Sequence, residues 1–181
     1  PSASVDVGAF TATTHTISDE NWMNNRLSFQ RQGSTGKITN EGSISTSLEG
    51  YVALLAPEVN NSGVIVAKMG TVALASGESI TLNFNGNKSL AGITTTPSAI
   101  NTLIKNSLAV KAPDGQIILS AIGLNQLSAG VINNSGSLEA SSMKGIGGKI
   151  FLESDQITFT KTSVIQANGA LGGGTVLIGG E

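Results

Sequence analysis

Side chains able to do chemistry are few in this chain and thinly spread. His15 is the single histidine and cysteine is absent, so a metal centre or a Ser-His-Asp relay would have to be built around that one ring. It lies in the Thr-rich run TATTHTIS, where an isolated histidine reads as a surface or rim residue with no catalytic part. Glu153 and Asp155 are two apart and on a strand would share one face, the kind of carboxylate pair from which polysaccharide-cleaving sites are made. Asp19 and Glu20 form a second acidic pair. GIGGK (Gly145 to Lys149) and GALGGG (Gly169 to Gly174) resemble phosphate loops only superficially, because neither closes on Gly-Lys-Ser/Thr after the required gap. Asn60, Asn87 and Asn133 each open an Asn-x-Ser triplet, the acceptor pattern for N-glycosylation. The reading assigns no catalytic, cofactor-binding or metal-binding residue, and the chain is expected not to be an enzyme.

The elements that would hold these residues are written in a repeat. Lys37 to Ser79 carries one pattern twice, with Ile38 answered by Val59, Asn40 by Asn61, Gly42 by Gly63, Ile44 by Ile65, and Val52 by Val72. Taking the second-strand residues Ile44, Ile65, Val110, Leu138 and Ile165 as anchors extends it through the chain. Six residues before each anchor stands Ile38, Val59, Ile104, Ile132 or Phe159; four before stands Asn40, Asn61, Asn106 or Asn134, with Lys161 as the exception. A third run begins at Gly50, Gly70, Gly115, Gly148 and Gly174 and places Val52, Val72, Ile117, Ile150 and Val176 on one side. Short alternating strands that cannot bury their apolar side alone must stack on one another. The pattern therefore predicts an all-β chain, a parallel β-helix with rungs about 4.8 Å apart. A stacked Asn column can bond amide to amide along such a coil, and the corner glycines are expected to supply positive φ for the bends.

Departures from the repeat mark insertions, where a binding surface would be built. Ile80 to Phe84 alternates like a further strand and NGNKSLAG follows as a loop. Thr96 and Pro97 suggest the start of a brief helix over Ser98 to Leu103. Ala121 to Gly130 is expected to form one helical turn that lays Leu124 and Leu127 on the coil. Ser18, before Asp19 and Glu20, is a cap for a short helix carrying Trp22 and Met23. The outward column Ala53, Ala73, Ile118, Phe151 and Leu177 is apolar where water would favour polar residues, so that flank is expected to be covered by insertions or by another chain.

Composition narrows the partners. Hydrophobic residues make up 39% and charged residues 12%, the reverse of a disordered chain. A net charge of -2 offers no basic footprint for nucleic acid. The 181 residues fit one domain, 1–181, expected to be an excerpt of something longer.

Six stretches carry a resemblance to a known family: VDVGAFTATTHTISDENW, ITNEGSI, GYVALLAPEVNNSGVI, GTVALASGESITLNF, VINNSGSLEAS and GGTVLIGGE. They resemble, in order and over nearly the whole chain, the filamentous haemagglutinin family of bacterial two-partner secretion exoproteins. That resemblance implies a right-handed parallel β-helix (solenoid), export through an outer-membrane two-partner secretion pore, and residence at the cell surface or in the medium. It also implies an adhesin-like role in attachment or fibre formation, with a host or neighbouring-cell receptor or glycan as partner and self-association open to it, while the charge and the lack of site residues point to no nucleic acid and no cofactor. A polysaccharide-binding or polysaccharide-cleaving β-helix is one alternative, and a stalk displaying a distal toxin or a nutrient-scavenging element is another. The family's Asn-Pro-Asn-Gly secretion motif, placed just before the stretch resembling Val5 to Ser18, is not in these residues, and His15 stands where the family usually has Leu. The same resemblance raises the three Asn-x-Ser triplets as glycan acceptors.

Overall fold

In a computed structural model, which describes residues 3–179, the chain winds into a right-handed parallel β-helix. The expected ends at Pro1 and Glu181 lie outside the described residues. A partial first turn holds β1 (Ser4–Val7) and β2 (Phe10–Thr13). An excursion follows with α1 (Asp19–Met23) and β3 (Ser28–Gln30). Two regular rungs come next: β4 (Lys37–Asn40), β5 (Ser43–Thr46) and β6 (Tyr51–Leu55), then β7 (Glu58–Asn61), β8 (Val64–Ala67) and β9 (Thr71–Ser76). A second excursion forms β10 (Ser79–Phe84) and β11 (Leu90–Thr95). The coil then resumes with β12 (Thr102–Asn106), β13 (Ala109–Lys111) and β14 (Gln116–Ala121). β15 (Gly130–Asn134), β16 (Ser137–Glu139) and β17 (Lys149–Ser154) make the next rung, and β18 (Gln156–Phe159), β19 (Val164–Gln166) and β20 (Thr175–Gly179) the last described one.

Three parallel sheets run the length of the coil, ordered β4-β7-β12-β15-β18, β1-β5-β8-β13-β16-β19 and β2-β6-β9-β14-β17-β20. Their register puts like residues in contact. Ile44 pairs with Ile65, Ile65 with Val110, Val110 with Leu138, and Leu138 with Ile165. Val52, Val72, Ile117, Ile150 and Val176 form the matching column on the third sheet. Inward residues from all three sheets merge into one thin apolar core, in which Val59, Ile65, Leu74, Ile104, Leu119, Ile132 and Leu138 are fully buried. Each such side chain contributes about 1.5–3 kcal/mol by leaving water.

The asparagine column is a hydrogen-bonded ladder. Asn40 Nδ2 donates to Asn61 Oδ1, Asn61 to Asn106 and Asn106 to Asn134, each at 2.8 Å. Both ends close on backbone, since the Gly42 N–H donates to Asn40 Oδ1 at 3.2 Å and Asn134 Nδ2 donates to the Gly136 carbonyl at 3.1 Å. In the last rung the sequence register was two residues off. Ile157, not Phe159, pairs with Ile132, and Phe159, not Lys161, stands beside Asn134. The corner from Thr160 to Ser163 is longer than its equivalents in earlier rungs and absorbs the difference, so the ladder has no asparagine to continue it beyond Asn134.

Corner glycines work differently from the expectation. Left-handed φ belongs to the residue before them, at Glu49 (63°), Met69 (56°) and Asp114 (59°). The glycine itself is required because a Cβ at Gly50, Gly70, Gly115, Gly148 or Gly174 would overlap the carbonyl oxygen of the glycine one rung earlier. Close stacking of backbone on backbone, rather than bend geometry, fixes this column.

Beside the coil stands a three-stranded antiparallel sheet, ordered β11-β10-β3. Phe29, Ile80, Leu82 and Leu90 from it pack on Ala53, Leu55, Ala73 and Ala75 of the coil to make a second buried cluster. The outward apolar column is thus covered by the chain's own insertions where it begins: Ala53 and Ala73 are fully buried and Ile118 is 9% exposed. The cover stops short of the last rung, where Leu177 is 56% exposed.

The insertions correct three expectations. Ser98 to Leu103 is not a helix: Ser98 bridges Gly123 and Thr102 already opens β12, which pairs on both sides with its neighbouring rungs. Stacking on the rungs outweighs the local Thr-Pro start signal. Ala121 to Gly130 is not helical either: its ends belong to β14 and β15, the residues between form a tight loop closed by an Asn125–Ser128 bridge, and Leu124 and Leu127 are 61% and 91% exposed. NGNKSLAG holds a hairpin turn whose second half is strand β11. The helix capped by Ser18 is present, with Ser18 Oγ accepting from the Asn21 N–H.

Candidate functional site

A cleft of about 830 Å³ opens at the corner after β17. Glu153, Asp155 and Gln156 line it on one side and Thr95, Leu124 and Gln126 on the other. The two carboxylates do not share a strand face, because β17 ends at Ser154 and Asp155 stands in the bend. Asp155 Oδ2 accepts the backbone N–H groups of Gly123 at 2.9 Å and Gly130 at 2.6 Å. It thereby clamps both feet of the loop of the preceding rung. Glu153 accepts from Ser120 Oγ at 3.4 Å. The pair that suggested acid–base chemistry is two exposed carboxylates, of which Asp155 is anchored to backbone.

Asp19 and Glu20 occupy the first turn of α1, where negative charge suits the helix terminus. Trp22 and Met23 on the same helix are 63% and 79% exposed.

His15 is buried, 5% exposed, and not at the surface or rim. Its Nε2 lies 2.9 Å from the Gly77 carbonyl, and Nδ1 is buried with no hydrogen-bond partner among the described residues. Burial, the largest influence, holds its pKa below the ordinary 6.5 against the smaller opposing pull of the Gly77 carbonyl. The sequence signal missed this because the pocket closes from the β9–β10 corner, far along the chain.

The two glycine-rich runs stack on each other. Ser142 bridges Gly169, Ile146 bridges Gly172, the Leu171 N–H donates to Gly145 O at 3.0 Å and the Gly147 N–H donates to Gly172 O at 3.0 Å. These amides hold the neighbouring rung's loop and do not form a cradle for a phosphate. The stacked loops display Met143, Ile146 and Leu171 at 92%, 65% and 78% exposure.

Of the three Asn-x-Ser triplets, Asn87 sits in the exposed hairpin turn, where its N–H donates to Asn85 Oδ1 at 3.1 Å. Asn60 and Asn133 are half-buried on strands of the coil, directly beside the ladder residues Asn61 and Asn134.

An ion pair that sequence reading did not single out ties the side sheet down. Arg31 Nε donates to Glu78 Oε2 at 2.8 Å, and the same oxygen receives the Ala99 N–H at 3.4 Å. The Arg31 hydrogen bond, more than any other influence, lowers the Glu78 pKa from its ordinary 4.5. Gln116 Nε2 reaches from the coil to Thr71 Oγ1 at 2.9 Å and to the Leu90 and Ala91 carbonyls at 3.0 Å each. Arg31 and Glu78 are far apart in sequence, and no local spacing pairs them.

Comparison with known proteins gives a consistent neighbourhood. Residues 1–169 match the family described as TPS secretion domain. The chain is 29% identical over 171 residues to the heme/hemopexin-binding protein of Haemophilus influenzae, covering 91% of this chain and 18% of that protein. Among solved structures, it is similar to the crystal structure of the HMW1 secretion domain from Haemophilus influenzae, with a TM-score of 0.68 and 27% identity. That likeness covers 97% of this chain and 52% of the other. The chain therefore spans about half of the one relative and less than a fifth of the other.

Proposed function

The chain belongs to the TPS secretion domain family of two-partner secretion exoproteins, and from that premise we propose that it is the part of an exoprotein that the cognate outer-membrane transporter engages during export. The exoprotein it serves is an adhesin-like molecule, secreted or held at the bacterial surface, that mediates attachment or fibre formation without enzymatic chemistry. The observation that carries this reading is that the family match over residues 1–169 takes in the stacked strands from β1 through β19 and both excursions. Support for a non-enzymatic role comes from Asp155, His15 and the glycine-rich loops, each of which is engaged in holding one segment of the fold to another.

Co-expression tests export. With the cognate transporter present, the exoprotein accumulates in the medium or on the cell surface; without it, or with residues 1–169 deleted, it stays in the cell. Equal export with and without the transporter would overturn the proposal. Attachment is read separately, by comparing adhesion of cells that do and do not display the full exoprotein.

A second reading is favoured by the name of one relative, the heme/hemopexin-binding protein. In that reading the coil is a stalk for a nutrient-scavenging element. Retention of the full exoprotein on immobilised haem or hemopexin, with no gain in cell adhesion, would select it over the adhesin.

A further inference from the structure

His15 stands where the coil meets the side sheet. Its Nε2 faces the Gly77 carbonyl at 2.9 Å, and a carbonyl cannot donate. Nε2 must therefore carry the hydrogen, and the neutral ring presents Nδ1 as a bare acceptor. Nδ1 is buried and has no hydrogen-bond partner among the described residues. The Leu55 carbonyl, which accepts the Thr14 N–H at 3.1 Å, favours the charged ring as the Gly77 carbonyl does, and burial, the largest influence, outweighs both. The charged groups that act on the ring are Arg31, after β3, and Glu78, before β10; they pair with each other at 2.8 Å and push the ring in opposite directions.

We propose that His15 is an acid-sensitive latch: a second proton on its ring loosens the Gly77–Glu78 corner and frees the β3-β10-β11 sheet from the coil, leaving the rungs intact. Gly77 is the point at which the chain leaves the coil for β10, so the Nε2 bond fastens the root of that excursion. The rungs have their own ladder and core, neither of which includes His15. Release uncovers the outward apolar faces of β6 and β9 at Ala53, Leu55, Ala73 and Ala75. The sign follows from linkage. The released ring binds its proton at the ordinary 6.5 and the latched ring only at lower pH. The latch is therefore fully closed above that value and weakens as pH falls through it.

Hydrogen exchange of the full-length protein, read by mass spectrometry at about pH 7.5 and about pH 5 and corrected for intrinsic rates, tests this. The expected result is that peptides from β3, β10 and β11 exchange about tenfold faster at the lower pH, while those from β12 and β15 change less than about twofold. His15→Gln, which does not titrate, should abolish the difference; if that variant does not fold, His15→Leu replaces it. Absence of acceleration, acceleration spread evenly over coil and sheet, or equal acceleration in the non-titrating variant would each overturn the latch.

Discussion

The coil and the side sheet obey different rules of construction, although one chain makes both. In the coil the main stabilising contacts recur: an aliphatic meets an aliphatic one rung away, an asparagine meets an asparagine, a glycine lies under a glycine. In the side sheet nothing recurs. Arg31 meets Glu78 once, Gln116 reaches Leu90 once, and Phe29 and Leu82 each fill a place with no counterpart elsewhere. Repetition distributes stability over many equivalent contacts, whereas the sheet depends on a few individual side chains.

The most severe way to break the coil is at the middle of its polar ladder. Asn106→Leu removes a donor and an acceptor together, leaving Asn61 Nδ2 and Asn134 Oδ1 without their 2.8 Å partners in a buried site. A loss of about 4 kcal/mol is expected, read as an earlier denaturant midpoint that circular dichroism and fluorescence report together. A smaller and more local effect is expected from Leu82→Ala, which opens a cavity under the sheet at a residue 4% exposed. It should cost about 2–3 kcal/mol, seen as faster proteolysis between residues 79 and 95 while the coil's far-ultraviolet signal is kept. If the whole chain unfolded at once, the distinction between the two regions would fail.

The smallest effect is expected at the ion pair, whose Glu78 side chain is 38% exposed. Arg31→Met should cost no more than about 1 kcal/mol. The Glu78 pKa lies below 4.5 when folded, so its stabilising share is present above that value and is lost as pH falls through the folded one. The variant should therefore lose part of the wild-type stability slope in that acid window, measured by urea titration at stepped pH.

The same contrast explains what could be read from the residues alone. The columns through Ile44, Val52 and Asn40 were legible because each is stated several times, and parallel stacking needs no other information. The error at Phe159 arose where a column had only one statement left and the Thr160 to Ser163 corner changed length. The side sheet was half visible: Ile80 to Phe84 alternates, but its partners at Ser28–Gln30 and Leu90–Thr95 follow from packing on the coil. His15 gave no sign of burial, since Gly77 is the residue that closes over it. Glu153 and Asp155 looked paired only while the strand was assumed to continue past Ser154.

The register of the rungs also bears on how the chain reaches its fold. Successive anchors are 21, 45, 28 and 27 residues apart, from Ile44 to Ile65, Val110, Leu138 and Ile165, so no rung waits for residues far downstream. Each turn can close on a finished template as soon as its own segment is available, and the loop-closure cost stays nearly constant as the rod lengthens. A sheet protein of ordinary topology slows as its contacts become more distant; a coil in which each rung closes on the one before is expected to fold in a time that rises with the number of turns rather than with the span of the molecule.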